Sequence, residues 1–386
     1  MSTAADHTPL AKPPKTPAVP KPSASVLLIS PTNQILLLHR VRTSSSFASA
    51  HVFPGGALST THDGPIPPPT SPDRHTDGPA YRLAAIRETF EESGILLARS
   101  KATGQFFTST MVSDKELEEG RKAVHAGRVK FGELLERWGV EADTEGLRGL
   151  TRWITPENVP RRFSTMMYLY FLPIGSVSPS KKSDTTSTSS SSSSSSPSTS
   201  TSVGGEVGEG EGEPDIVIPH PTHDGGIEHT AARFLPPHKW ISLARQNRII
   251  LFPPQFFLTL LLAPYLGTTI TSPTSPIPSP EALQRERDSL ISFLETPRSY
   301  QGEQEVSFAD ACISPVVLGK GEYGQKDQDG VGRGVDKHMA VLTLNWSGRE
   351  VEGLGRRGLR EWVVTTRFKG EGPRDVDVRR REEVLG

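Results

Sequence analysis

Cysteine is nearly absent from this chain of 386 residues, where Cys312 stands alone. One thiol cannot build a disulfide framework, a Cys-clustered zinc site or an iron–sulfur site, and its scarcity suits an intracellular protein. An excess of one charge is lacking too. With 43 Lys and Arg against 44 Asp and Glu, the formal net charge is −1, which argues against a nucleic-acid partner and against a polyacidic tail. Long apolar runs are also missing. The most apolar stretch, Ile249 to Leu266, is cut by Pro253 and Pro254. Its apolar block, Phe256 to Ala263, falls far short of the roughly 20 residues of a membrane span. No secretory apolar region opens the chain: Met1 to Ala24 is rich in Pro, Lys and Ala and reads as a disordered tail, with organelle targeting the lesser reading. Val384-Leu385-Gly386 is not a peroxisomal tripeptide of the Ser-Lys-Leu type. The expected compartment is the cytoplasm by default.

What is abundant is glycine and proline, 35 and 34 residues, beside a hydrophobic share of only 34%. That balance implies one core diluted by irregular chain rather than two full domains. Ser25–Ile29 and Gln34–His39 read as a hairpin around Ser30-Pro31-Thr32-Asn33. A small-residue loop then leads to His51-Val52-Phe53-Pro54-Gly55-Gly56, and a Pro/Asp/His-rich loop fills Thr60 to Pro79. The next helix is punctuated by Asp77 as N-cap, Pro79 in its first turn and Gly94 as its stop. Helical pattern returns from Asp114 to Trp138, split near Gly127, and strands follow at Leu150–Ile154 and Met166–Leu172. Ser176 to Glu213 is low complexity, with unbroken serine from Ser189 to Ser196, and is expected to be disordered. Beyond it come a strand at Ile227–Phe234, a helix at His238–Arg245, a core helix from Pro254, a helix at Glu281–Leu294 and strands at Met339–Trp346 and Trp362–Phe368. The layout is a tail over 1–23, a catalytic domain over 24–270 interrupted at 176–213, a proline linker over 271–280 and an extension over 281–386, whose role the sequence leaves open.

The segment that carries chemistry is Arg87-Glu88-Thr89-Phe90-Glu91-Glu92-Ser93-Gly94-Ile95. Helical spacing puts Glu88, Glu91 and Glu92 at i, i+3 and i+4 on one face, with Leu83, Ile86 and Phe90 opposite and Arg87 one turn before Glu91. Two unit charges about 6 Å apart repel by roughly 3 kcal/mol at an effective dielectric near 20. A hard divalent cation relieves that repulsion, and Mg²⁺ or Mn²⁺ suits carboxylate oxygens best. Glu-x-x-Glu-Glu alone is ordinarily a solvated acidic face. Arg and Gly at fixed offsets around it make the full string far rarer.

That string, with Phe53-Pro54-Gly55-Gly56 upstream, resembles the box of the Nudix hydrolases, G-x5-E-x7-R-E-U-x-E-E-x-G-U with U aliphatic. Thr89 stands at the first U, and the glycine pair lies about 17 residues too far upstream, so an insertion must loop out between turn and helix. Pro79 occupies the place of the first box acid, which leaves that acid without an equivalent unless Asp77 takes part of its role. Ala50-His51-Val52-Phe53-Pro54-Gly55-Gly56 and Ile86-Arg87-Glu88-Thr89-Phe90-Glu91-Glu92 look like the coenzyme A diphosphatase-like branch, the moiety X motif 19 type; Trp153-Ile154-Thr155-Pro156 and Arg161-Arg162-Phe163 also look like related segments, although Ser164 follows where that branch often has Asp.

The resemblance implies an α+β fold: a Nudix-type α/β/α sandwich with a mixed central sheet, carrying the Ser-rich insertion and the C-terminal extension. It implies Mg²⁺ or Mn²⁺ held by Glu88, Glu91 and Glu92 with the Gly56 carbonyl, Glu91 serving as ligand or base, and Asp224 or Glu228 offering a further carboxylate. Arg40, Arg42, Arg161 and Arg162 are candidate phosphate contacts and His51 a candidate substrate contact, although each arginine alone reads sooner as surface charge and His51 sooner as an ordinary loop histidine. The expected reaction is hydrolysis of a diphosphate linkage in a small coenzyme A-like molecule. Nucleotide sugars, dinucleotides or capped RNA are the alternative substrates, and a non-catalytic binding module the alternative role. Resemblance to that branch leaves mitochondrion and peroxisome open as compartments, and nothing in the sequence points to a protein partner.

Overall fold

A strand buried on both faces shows continuous apolar sequence instead of alternation, and Ser25–Ile29 has that character. It lies at the centre of the main sheet. The computed structural model describes residues 17–43, 48–108, 110–175, 229–267, 278–299, 306–318 and 338–385. The tail up to residue 16, the Ser-rich insertion, Asp224, Glu228 and most of the proline linker therefore lie outside the described residues.

In chain order, β1 (Lys21–Ile29) and β2 (Ile35–Arg40) form the expected hairpin, followed by β3 (His51–Val52), β4 (Gly55–Ala57) and α1 (Pro79–Ser93). Next come β5 (Ala98–Ser100), α2 (Asp114–His125), α3 (Phe131–Arg137), β6 (Val140–Ala142), β7 (Arg148–Ile154) and β8 (Phe163–Phe171). The chain continues through β9 (His229–Leu235), α4 (Pro237–Arg245), α5 (Pro253–Leu262) and α6 (Pro280–Glu295). It closes with β10 (Cys312–Ile313), β11 (Val316–Val317), β12 (Ala340–Thr343), β13 (Trp362–Lys369), β14 (Gly372–Arg380) and α7 (Arg381–Leu385). β1 begins at Lys21, and the carbonyl of Ala18 accepts a hydrogen bond from Arg162, so ordered chain starts before the expected end of the tail at residue 23.

The main sheet runs β10-β7-β8-β1-β2-β3, with β4 also paired to β1 and β9 to β2. β1 is parallel to β8 and antiparallel to β2 and β4, so the sheet is mixed. Alternation along β1 sorts its side chains. Ala24, Val26 and Leu28 join the core under α1, α2 and α3, whereas Leu27 and Ile29 join the core under α4, α5 and α6. Helices thus cover both faces, which is the α/β/α layering expected from the sequence. Phe256, Phe257 and Leu262 of α5 are fully buried in the second core, as their helical spacing suggests.

The segment beyond residue 280 is continuous with this core. β10 adds a parallel strand to β7, and Leu342, Val364 and Val376 of the second sheet, β11-β12-β13-β14, with Leu344 just beyond β12, pack with Leu27 and Ile29. The hairpin partner β14 has no counterpart in the sequence reading, because its alternation of Arg, Asp and Val buries little apolar surface. Arg287 of α6 pins the junction. Its buried guanidinium donates to Asn33 Oδ1 at 2.8 Å and to the carbonyls of Leu172 and Ser30 at 2.9 Å each. Among the described residues, no helix is long and apolar enough to cross a membrane.

Arg287→Met removes the guanidinium donors from all three acceptors, of which the Ser30 carbonyl keeps the Asn33 N–H at 3.0 Å. It is expected to destabilise the fold by about 2–4 kcal/mol, read from the midpoint of urea unfolding. A shift within about 0.5 kcal/mol would show that α6 is held without the Arg287 hydrogen bonds.

Candidate active site

The helix α1 starts with Pro79 and stops at Gly94, which takes φ 76°. Its N-cap differs from expectation. Gly78 occupies the cap without a side-chain hydrogen bond, and the carboxylate of Asp77 instead accepts from Arg82 at 2.7 Å and from the Tyr168 hydroxyl at 2.5 Å. One residue outside the cap, Asp77 is drawn to a guanidinium one turn into the helix and to the sheet below.

The last two turns of α1 meet the glycine turn. Gly55 donates its N–H to Glu92 Oε2 at 2.8 Å, and a Cβ built on Gly56 would lie 2.5 Å from the carboxyl carbon of Glu88. Any side chain at residue 56 would displace Glu88, so the glycine is required by close approach. Glu88 and Glu92 therefore flank the turn. Glu91 shares Arg87 Nη1 with Glu88, each accepting at 2.9 Å, and its other oxygen meets His125 Nδ1 of α2 at 3.1 Å.

Arg87 is the hub. Its Nε and Nη2 donate to the two oxygens of Asp63 at 2.8 and 2.9 Å, and Nη1 donates to Glu88 and Glu91 at 2.9 Å each. Nη2 also reaches the Ala57 carbonyl of β4 at 3.2 Å. The side chains of Arg87 and Asp63 are 5% and 0% exposed, so this bidentate pair works in low dielectric, where it is strongest. Asp63 is itself fixed by the Ser59 N–H at 2.7 Å. The stretch between Asp63 and α1 lies between turn and helix, where the sequence expects the insertion, and Asp63 is the acid of this stretch that meets Arg87.

The electrostatics follow from this arrangement. Burial, aided by the negative charges of Glu91 and Asp63 against the attraction of Arg87, pushes the Glu88 carboxyl up to about 7. For Glu91, burial opposes ionisation, but the hydrogen bonds from His125 and Arg87 outweigh it and hold its carboxyl below the ordinary value. His229 of β9 is fully buried and sets Nε2 3.7 Å from Glu92 Oε1.

The other candidate residues separate. Arg40 stands opposite His229 in the β2–β9 ladder and so lies beside Glu92's neighbour. His51 is on the far face of the sheet, its ring 4.7 Å from that of His39 and 5.6 Å from that of Trp240. Burial, with the nearby His39 and Arg233, pushes His51 down to about 4, so it stays neutral and packs instead of meeting the glutamates. Arg162 is buried and directs its donors to the carbonyls of Thr155 and Ala18 and to Glu350, and so serves as a structural clamp here. Asp63, His125 and His229 escaped the sequence reading. Only Asp63 had a signal, an acid one residue beyond the G-x5-E spacing counted from Gly56.

The donor set of Glu88, Glu92 and the Gly56 carbonyl is all oxygen, as a hard divalent cation requires. Among the described residues, no group of three His, Cys, Asp or Glu side chains is arranged to hold a metal ion. The fit is thus to an open site with two carboxylates, beside Glu91, whose oxygens are engaged by Arg87 and His125.

Comparison with known proteins agrees with the helix motif. A family model described as the NUDT19 Nudix domain matches residues 71–203, which include all of α1. The chain is 30% identical over 151 residues to putative nudix hydrolase 7 of Caenorhabditis elegans, covering 38% of this chain and 43% of that protein. It is 29% identical over 179 residues to acyl-coenzyme A diphosphatase NUDT19 of Gallus gallus, covering 35% of this chain and 47% of that protein. The matches thus span less than half the length of these relatives. A solved Nudix hydrolase from Alicyclobacillus acidocaldarius overlays 67% of this chain and 98% of its own, at 20% identity and a TM-score of 0.41. Over these segments the chain is similar to Nudix hydrolases. The family model and the chicken protein are both of the NUDT19 type.

The raised value of Glu88 fixes the sign of a pH effect. A carboxyl whose folded value, about 7, exceeds its ordinary 4.5 binds its proton more tightly in the folded state. Stability of the metal-free protein should therefore fall as pH rises through that window. In EDTA, Glu88→Gln is expected to be more stable than the natural chain at pH 8 by roughly 1–3 kcal/mol, with the gap closing toward pH 5. Parallel urea-unfolding curves at both pH values would refute the burial of that charge.

Proposed function

We propose that the protein is a metal-dependent hydrolase of a phosphoanhydride, acting on the diphosphate of coenzyme A or an acyl-coenzyme A. The observation that carries the reading is the convergence of Glu88 and Glu92 on Gly55 and Gly56, with Arg87 locked behind them by Asp63. Mg²⁺ or Mn²⁺ would be held by Glu88, Glu92 and the Gly56 carbonyl, where it would neutralise phosphoryl oxygens and polarise a water. Glu91, committed to Arg87 and His125, fixes the pitch of the last helical turns and is a supporting residue in this arrangement. A cation held by Glu88 would favour its ionised form and so offset the burial that pushes the carboxyl up to about 7 without one. Arg40, near the rim, would meet a phosphate.

The coenzyme A assignment draws on the resemblance to the chicken acyl-coenzyme A diphosphatase and on the strings Ala50–Gly56 and Ile86–Glu92. Attack on the diphosphate would yield 3′,5′-ADP and 4′-phosphopantetheine or its acyl form. The three retained glutamates of α1 disfavour a purely binding role, which would not need them.

Purified protein with Mg²⁺ or Mn²⁺ should be offered coenzyme A, acyl-coenzyme A, ADP-ribose, a dinucleotide and capped RNA. Hydrolysis of the coenzyme A pair above the others is expected. Glu92→Gln keeps an acceptor for the Gly55 N–H and should cut turnover at least about 100-fold without loss of fold. No cleavage of any diphosphate would sink the enzyme reading, whereas cleavage of ADP-ribose alone would sink only the substrate.

A further inference from the structure

The strand that carries His229 is irregular at one point. The β2–β9 ladder pairs Leu36 with Phe234, Leu38 with Ala232 and His39 with Ala231, and then sets Arg40 opposite His229, so that Thr230 is an extra residue. Strand alternation shows what that extra residue does. Leu36 and Leu38 belong to the core under α1, and their partners Phe234 and Ala232 pack against it. A regular strand would continue this face with Thr230 and turn His229 to the other, where Ile35, Leu37 and Leu235 lie. The bulge shifts the phase by one residue and delivers the imidazole to the face of α1 instead.

The bulge is pinned. The Thr230 hydroxyl lies 2.8 Å from His39 Nδ1 and 3.3 Å from the His39 carbonyl oxygen, and the His39 ring is stacked on that of His51 at 4.7 Å. On the α1 side the result is a bracket around Glu92. Its Oε2 accepts the Gly55 N–H at 2.8 Å, while its Oε1 faces His229 Nε2 at 3.7 Å. The two side chains are 8% and 0% exposed. A contact of 3.7 Å is longer than a hydrogen bond. It limits where the carboxylate can swing, and it offers a polar edge where an apolar wall would leave a buried charge poorly solvated.

We propose that His229 is a positioning residue: through the bulge at Thr230 it holds the Glu92 carboxylate in the orientation that, with Glu88 and the Gly56 carbonyl, takes a cation. The assignment rests on the metal-dependent reading of α1. A carboxylate that ligates a metal is useful only when its oxygens are aimed, and partners outside the ligand set do the aiming. Arg87 does so for Glu88. Gly55 and His229 do so for Glu92, one at each oxygen.

The test is Mn²⁺ titration of the full-length protein, followed by loss of the free-ion electron paramagnetic resonance signal with no diphosphate present. His229→Phe fills the buried space without a polar edge. His229→Asn puts its amide near the place of Nδ1, too short to reach Glu92, whereas His229→Gln puts it near the place of Nε2. Phe and Asn are expected to weaken Mn²⁺ binding by about 10–100-fold, and Gln to recover most of that loss. A histidine that only filled space would give the opposite order, Phe above Gln, in step with their stabilities in urea. Should either Phe or Asn fail to fold by circular dichroism, the other carries the same expectation. Affinity equal to the natural chain in a folded Phe or Asn variant, or Phe binding as well as Gln, overturns the assignment and leaves the metal-dependent reading standing. A natural chain that takes up no Mn²⁺ overturns both.

Discussion

The candidate site depends on one buried guanidinium. Arg87 reaches the inserted loop through Asp63, strand β4 through the Ala57 carbonyl, and its own helix through Glu88 and Glu91. Without it, three carboxylates and Asp63 would repel one another in a poorly solvated space. Because the fork is planar and bidentate toward Asp63, it sets direction as well as charge. Glu91 is drawn aside toward α2, and Glu88 and Glu92 are left facing the glycine turn. The mixed sheet supplies the frame: β1 carries β4 on the edge that meets α1, and its parallel partner β8 carries Tyr168 to Asp77 at the start of the helix.

Near-neutrality of the whole chain conceals a concentration of acid at the end of α1, where burial already pushes a carboxyl to about 7. Such a cluster costs stability and persists only when something offsets it. A cation is the offset with matching chemistry. The C-terminal segment has a structural role of its own, since it packs on the sheet's second core.

Local pattern made much of this readable. Punctuation by Pro79 and Gly94 marks α1, glutamate spacing marks its chemical face, and unbroken apolar character marks β1 as central. What escaped reading depends on contacts distant in sequence. Asp63 is 24 residues from Arg87, and the loop between them breaks the spacing that would have exposed the pair. His125 and His229 meet Glu91 and Glu92 only through folding of α2 and β9. His51 misled for the converse reason. It sits beside the glycine turn in sequence, but strand alternation turns its side chain through the sheet to Trp240. Arg162 likewise looked available and is consumed by a clamp to Glu350.

The central claim is that Asp63, through Arg87, aims Glu88 and Glu92 at the glycine turn to form a cation site. Asp63→Asn tests it directly, since it keeps the shape and removes the charge. Titration with Mn²⁺, followed by the loss of the free-ion electron paramagnetic resonance signal, should show binding weakened by roughly 10–100-fold in a variant that still folds. Unchanged Mn²⁺ affinity in that variant would contradict the account.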